Sequence, residues 1–141
     1  MRFWDSSALV PLVLEEESSD RLDAVAHEDR KIAAWWGTLV EVVSALERRQ
    51  RGGGLTAEER ADADSRLAVS AASWYTVPPA PHVRTEAIHV AQVHGLRAGD
   101  AFQLAAALEW AGDHGQGHAF VSLDRELRAA AAREGFTVLP A

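Results

Sequence analysis

Apolar residues fall along this chain in short clusters, and the spacing inside each cluster alternates between two kinds. Phe3-Trp4, ahead of the polar Asp5, reads as a strand over residues 1–4. Ala8, Leu9, Val10, Leu12 and Val13 suit a buried helix over 6–14. Proline is tolerated in a first helical turn, so Pro11 predicts a late start or a kink there. Leu22, Val25 and Ala26 lie at helical spacing within 18–28. Lys31-Ile32-Ala33-Ala34-Trp35 reads as a second strand, Gly37 breaks it, and Thr38 opens a helix to about Arg51. Gly52-Gly53-Gly54 is the clearest loop. Thr56 with Glu59 is a capping box, and its helix reaches about Ser73.

Tyr75-Thr76-Val77 predicts a third strand, ended by Pro78-Pro79. Val83, Ala87, Ile88 and Ala91 share one face of a helix over 81–94, closed by Gly95. A helix follows from Asp100 to Trp110, then a strand over 118–123 and a helix over 125–133. Gly135 reads as the C′ residue of that helix, ahead of a last strand over 136–139. Strands alternating with helices make an α/β fold, with a central parallel sheet of four or five short strands between two helical layers. A length of 141 residues suits one domain spanning the chain.

Composition narrows the chemistry. The chain has no cysteine, which excludes disulfides and thiolate metal sites. No apolar run reaches the ~18 residues of a membrane span, and the N-terminus lacks a signal-peptide pattern, so the expectation is a cytoplasmic protein. Fourteen basic against 21 acidic residues give a net charge of −7, which argues against nucleic-acid binding by charge alone. Arg48, Arg49 and Arg51 form the one basic run. It reads as a helix C-terminus suited to the helix dipole, or as a phosphate contact.

Four acids change the picture: Asp5, Glu41, Asp100 and Asp124 each stand where an apolar run meets a helix. Taken singly, each fits a helix cap. Thr38 with Glu41 has the form of a capping box, Asp100 with Gln103 a relaxed one, and Asp5 and Asp124 each precede a helix. Taken together they suggest another role, because the strand ends of an open parallel sheet meet at one crevice. Two carboxylates ~5 Å apart repel by roughly 3 kcal/mol at an effective dielectric of about 20. A hard divalent ion removes that cost, and all-oxygen donors suit magnesium or manganese.

The order of these motifs resembles a PIN domain, specifically the short VapC-type toxins of bacterial toxin–antitoxin pairs. The matching segments are Phe3-Trp4-Asp5-Ser6-Ser7-Ala8-Leu9, Glu41-Val42-Val43-Ser44-Ala45-Leu46-Glu47-Arg48, Gly95-Leu96-Arg97-Ala98-Gly99-Asp100-Ala101 and Phe120-Val121-Ser122-Leu123-Asp124. The resemblance covers nearly the whole chain. It implies a three-layer PIN-like fold and a metal-dependent endoribonuclease. Asp5, Glu41 and Asp100 would be metal ligands for Mg2+ or Mn2+, Asp124 a ligand or supporting acid, and Ser6 and Ser122 supporting hydroxyls. It also implies an RNA substrate, a small VapB-like antitoxin and a homodimer; the chemistry of an acidic crevice adds the expectation that this partner directs an Arg or Lys at the acids. The chain departs from the pattern at Gly99, where a larger apolar residue is usual, and at Trp35-Trp36.

The remaining residues carry less. The six histidines show no ligand spacing with the acids and read as surface or structural positions. Trp35 and Trp36 suit base stacking, but a core or interface role fits them better. Arg97, three residues before Asp100, reads as an ion-pair partner. A haloacid-dehalogenase-type phosphatase would want a second Asp where Ser7 stands, and a receiver domain would want a late lysine, whereas the only lysine is Lys31. A PIN-like protein that only binds a partner is the remaining rival, ranked below the enzyme because all four acids are present.

Overall fold

The computed structural model describes residues 1–141. The elements in chain order are β1 Arg2–Trp4, α1 Ser6–Val13, α2 Ser19–Glu28, β2 Ile32–Trp35, α3 Thr38–Arg51, α4 Ala57–Ala71, β3 Tyr75–Val77, α5 Pro81–His94, α6 Ala98–Ala111, β4 Ala119–Val121, α7 Arg125–Arg133 and β5 Thr137–Leu139. All strand pairs are parallel, and the sheet order is β3-β2-β1-β4-β5. This is the three-layer α/β/α sandwich that the alternating pattern predicts.

Two apolar clusters explain the layers. Side chains alternate across a strand, so Phe3, Ala33, Trp35 and Phe120 face α5, α6 and α7. Their neighbours Trp4, Ile32, Ala34 and Val121 face the other way, onto α1, α2, α3 and α4. Phe3, Trp4, Phe120 and Val121 are all fully buried, as strands covered on both faces require. Phe3 stacks on Phe120 with ring centroids 5.5 Å apart, tying the two central strands together on one face.

The sheet order reverses between β1 and β4. Chains leaving these adjacent strands go to opposite faces, which opens a crevice at their C-terminal ends. Asp5 directly follows β1, and Asp124 lies three residues beyond β4.

Several local expectations hold. The Thr56–Glu59 capping box forms, with Glu59 N–H donating to Thr56 Oγ1 at 3.1 Å and Thr56 N–H donating to Glu59 Oε1 at 3.0 Å. Gly135 takes a φ of +93° just past α7, a conformation that costs a side-chain-bearing residue dearly. Two expectations are corrected. Helix α1 begins at Ser6 and runs through Pro11, which therefore sits in its second turn. The helix ends two residues later and so forfeits little hydrogen bonding, while the Pro11 carbonyl accepts from Ser19 Oγ at 2.8 Å. Helix α6 begins at Ala98, two residues earlier than predicted, and Gly99 lies regularly within it.

Candidate active site

The four acids meet. Asp5, Glu41, Asp100 and Asp124 line one cavity of 860 Å³, together with Ser6, Ser7 and the exposed flank of α3. They come from four places: the end of β1, the first turn of α3, the first turn of α6 and the N-cap of α7.

Only one of the four is a helix cap in its hydrogen bonding. Asp124 Oδ1 accepts from Leu127 N–H at 2.8 Å. Asp5 holds the N-cap position of α1 but makes no capping bond. The Thr38–Glu41 capping box does not form, because Gly37 is the N-cap and Thr38 already lies inside the helix. The Asp100–Gln103 box fails for the same reason, Arg97 being the N-cap of α6.

These side chains are instead bound across the crevice. Asp5 is only 3% exposed, and its Oδ2 accepts from Ser7 Oγ and from Ser122 Oγ, the latter at 2.7 Å. Ser6 Oγ bridges the acids, donating to Glu41 Oε2 at 2.6 Å with Asp5 Oδ1 3.3 Å away. Ser7 Oγ also accepts from Leu123 N–H at 2.9 Å, which stitches α1 to the loop after β4. Glu41 Oε2 takes a second bond from Gln103 Nε2 at 3.0 Å, and the same amide donates to Thr38 Oγ1 at 2.9 Å.

Ser6 and Ser122, which the resemblance offers as supporting hydroxyls, donate to Glu41 and Asp5 respectively. Ser7, Thr38 and Gln103 were not anticipated in this role. One signal was available for Gln103: it is the single polar residue in the otherwise apolar Ala101–Leu108 stretch.

Electrostatics follow from this placement. Burial pushes the Asp5 carboxyl above its ordinary value, against the hydrogen bonds from Ser7 and Ser122 that pull it down. Glu41 is raised by burial, with the Asp5 charge adding to it. Asp100 rises to about 6, first through burial and then through repulsion from Asp124, Asp5 and Glu41. No ion pair in the molecule involves any of the four acids.

The donor set fits a hard cation. Both hydrogen bonds to Glu41 go to Oε2, which leaves Oε1 free, and no hydrogen bond lowers the Asp100 carboxyl. The acids share the cavity without closing on one point, however: no three acidic or histidine side chains are drawn together enough to hold an ion as they stand.

Other candidates resolve differently. Trp35 is buried and stacks on Phe102 of α6, centroids 5.3 Å apart, while Trp36 is 61% exposed at the cavity rim. Arg97 forms no ion pair, contrary to expectation, because it is exposed at the N-cap of α6 with no carboxylate within reach. Of the basic run, Arg49 pairs with Glu16 at 2.7 Å and Arg51 with Glu47 at 2.8 Å, whereas Arg48 has no acidic partner. His94 is structural, buried against Glu134 at 2.6 Å.

Ribonuclease VapC45 of Mycobacterium tuberculosis (strain CDC 1551 / Oshkosh) is 36% identical over 141 residues, spanning 99% of this chain and 94% of that protein. Ribonuclease VapC49 of Mycobacterium tuberculosis (strain ATCC 25618 / H37Rv) matches with the same identity and coverage. The chain belongs to the VapC ribonuclease family. Among solved structures, PAE2754 from Pyrobaculum aerophilum superimposes with a TM-score of 0.68 at 26% identity, over 98% of this chain and 88% of that one. FitAcB from Neisseria gonorrhoeae superimposes with a TM-score of 0.67 at 15% identity, over 98% of this chain and 96% of that one, a likeness of fold. No protein-family model matches the chain. Membership in the VapC family bears out the PIN-like fold and the ribonuclease-toxin class that the sequence motifs resemble. No helix is long and apolar enough to cross a membrane.

Proposed function

We propose that this VapC ribonuclease is a metal-dependent endoribonuclease whose toxicity comes from cleaving RNA phosphodiester bonds at the acid crevice. The observation that carries the reading is four carboxylates lining one cavity, at the reversal of the sheet order, with no cation of the protein paired to any of them. Asp5, Glu41, Asp100 and Asp124 are the proposed ligands of Mg2+ or Mn2+, with Ser6 and Ser122 supporting them.

When bound, such an ion neutralises phosphate charge and makes a coordinated water more acidic. The protein's part is positional. Ser7 and Ser122 fix one Asp5 oxygen, and Ser6 and Gln103 fix one Glu41 oxygen, so that both carboxylates are held in place at the cavity. Asp100 and Asp124 bring two further carboxylates to the cavity, where burial and then repulsion from Asp124, Asp5 and Glu41 raise the Asp100 carboxyl to about 6. No side-chain nucleophile is needed, which suits a crevice where Ser6, Ser7 and Ser122, the serines beside the acids, are committed as hydrogen-bond donors to Asp5 or Glu41.

The regulatory partner in this reading is a VapB-like antitoxin that sets an Arg or Lys among the acids, where a bidentate guanidinium would exclude the ion. The active form is read as a homodimer. The test is cleavage of unstructured RNA by purified protein. Activity is expected with magnesium or manganese and lost in EDTA; undiminished cleavage in EDTA overturns the metal reading. Co-expression with the neighbouring small reading frame should rescue growth, and a neighbour that neither binds nor rescues removes the antitoxin reading alone.

A further inference from the structure

One flank of the crevice is built as a line along a helix and the turn that leads into it. Val40, Ser44 and Arg48 recur every four residues and so stack along one face of α3, Trp36 lies in the turn just ahead of that helix, and all four line the cavity that holds the acids. The character of the line changes from end to end. Trp36 and Val40 are 61% and 71% exposed apolar side chains. Ser44 is an exposed hydroxyl, and Arg48 is an exposed guanidinium steadied by Ser44 Oγ at 2.9 Å. From Val40 to Arg48 the line runs about 12 Å, at ~1.5 Å per residue.

The Trp36 ring is presented by the fold. Trp35, the last residue of β2, is buried against Phe102, whereas Trp36 lies in the turn beyond the strand and is exposed. Trp36 N–H donates to the Val77 carbonyl at 3.0 Å, which holds the backbone there to β3. A Cβ at Gly37 would lie 2.7 Å from Trp35 Nε1, so the turn that aims Trp36 outward needs a glycine. No ring of the protein stacks on the Trp36 indole.

We propose that this face of α3 is the track for single-stranded RNA: Trp36 stacks a base beside the cleavage point, and Arg48 holds a backbone phosphate further along the strand. The inference rests on the ribonuclease reading of the acid crevice and adds how substrate lies in it. Glu41 stands next to Val40 on the same helix, so a strand on the line passes its backbone over the acids between its two anchors. Arg48 is the only guanidinium lining the cavity without an acidic partner, and it suits a phosphate by charge. A docking protein helix would instead want apolar anchors along the whole line, but half of this one is hydroxyl and cation. Stacking tolerates any base, so the shelf predicts grip with little sequence choice of its own.

The experiment measures binding of a fluorescent, unstructured oligoribonucleotide to the full chain with calcium present, and its cleavage with magnesium. Trp36→Ala should weaken binding roughly 5- to 150-fold, the usual range for losing one base stack. Trp36→Phe should restore most of it. An abasic nucleotide walked along the RNA should cost the wild type at one position and cost Trp36→Ala nothing there. Arg48→Gln should flatten the dependence of log affinity on log salt by about 0.7, the loss of one phosphate contact on a single strand. Leu39→Ala, which removes an exposed residue on α3 outside the cavity, should leave RNA binding unchanged. If Trp36→Ala binds and cleaves RNA like the wild type, the track is wrong while the nuclease stands. If that variant loses only the antitoxin, the face belongs to a protein and the proposal is overturned. If the wild type neither binds nor cleaves RNA, the nuclease reading falls, and the track with it.

Discussion

Asp100→Asn is the sharpest probe of the acid crevice, because it separates stability from activity in opposite directions. Asp100 carries a carboxyl raised from 3.8 to about 6, by burial first and then by Asp124, Asp5 and Glu41. The folded chain therefore holds a proton there that the unfolded chain releases at lower pH. The raised group opposes folding once it ionises, so its contribution to metal-free stability is full below about pH 4 and is lost as pH climbs through about 6. The difference between the two values is worth about 3 kcal/mol at ~1.36 kcal/mol per pH unit. Asp100 is half-exposed, so solvent screening reduces this to about 1–2 kcal/mol. In EDTA at pH 7.5, Asp100→Asn should be more stable than the wild type by that amount in urea unfolding. Near pH 4 the two should coincide. Millimolar magnesium should close the gap by stabilising only the wild type, since an ion that binds the folded state adds stability by mass action. RNA cleavage by the variant should collapse. Equal stability of the two proteins at pH 7.5, with or without magnesium, would refute the account of four mutually repelling acids awaiting a cation.

Three further outcomes are expected. Asp5→Asn should abolish cleavage and growth arrest while the melting temperature holds or rises in EDTA, since a buried charge is removed; wild-type growth arrest would make Asp5 merely structural. Gln103→Leu removes the donors to Glu41 and Thr38 but also a buried Oε1 that has no partner. Stability should therefore change by less than about 1.5 kcal/mol, while the magnesium concentration for half-maximal cleavage rises about tenfold; an unchanged metal titration would show that Glu41 needs no such hold. Phe120→Ala deletes a fully buried ring stacked on Phe3 and should cost about 3–5 kcal/mol in denaturant unfolding, with a near-wild-type result refuting the packed central strands.

The periodicity of the chain is a local property, and most of the fold was legible in it. Period-2 runs ahead of helical runs, with punctuation at Gly37, Gly52-Gly53-Gly54, Gly95 and Gly135, determined the strands, the helices and the parallel sheet, because turn chemistry and side-chain alternation act within a few residues. The four acids were legible too, as charges placed where strands hand over to helices. Which hydrogen bonds they make was decided only by tertiary packing. Local rules assign Thr38 to Glu41 and Asp100 to Gln103 as capping partners. The helices start elsewhere, and Gln103 reaches 62 residues back to Glu41. Ser7 and Ser122 converge on Asp5 from 115 residues apart because β1 and β4 are neighbours in the sheet. The adjacent Trp35 and Trp36 are alike in sequence and opposite in fate, since β2 ends between them: Trp35 packs on Phe102 of α6, and Trp36 is left exposed in the turn. Sequence fixes what each short segment prefers; pairs brought together across the sheet depend on the strand order, which no local pattern encodes.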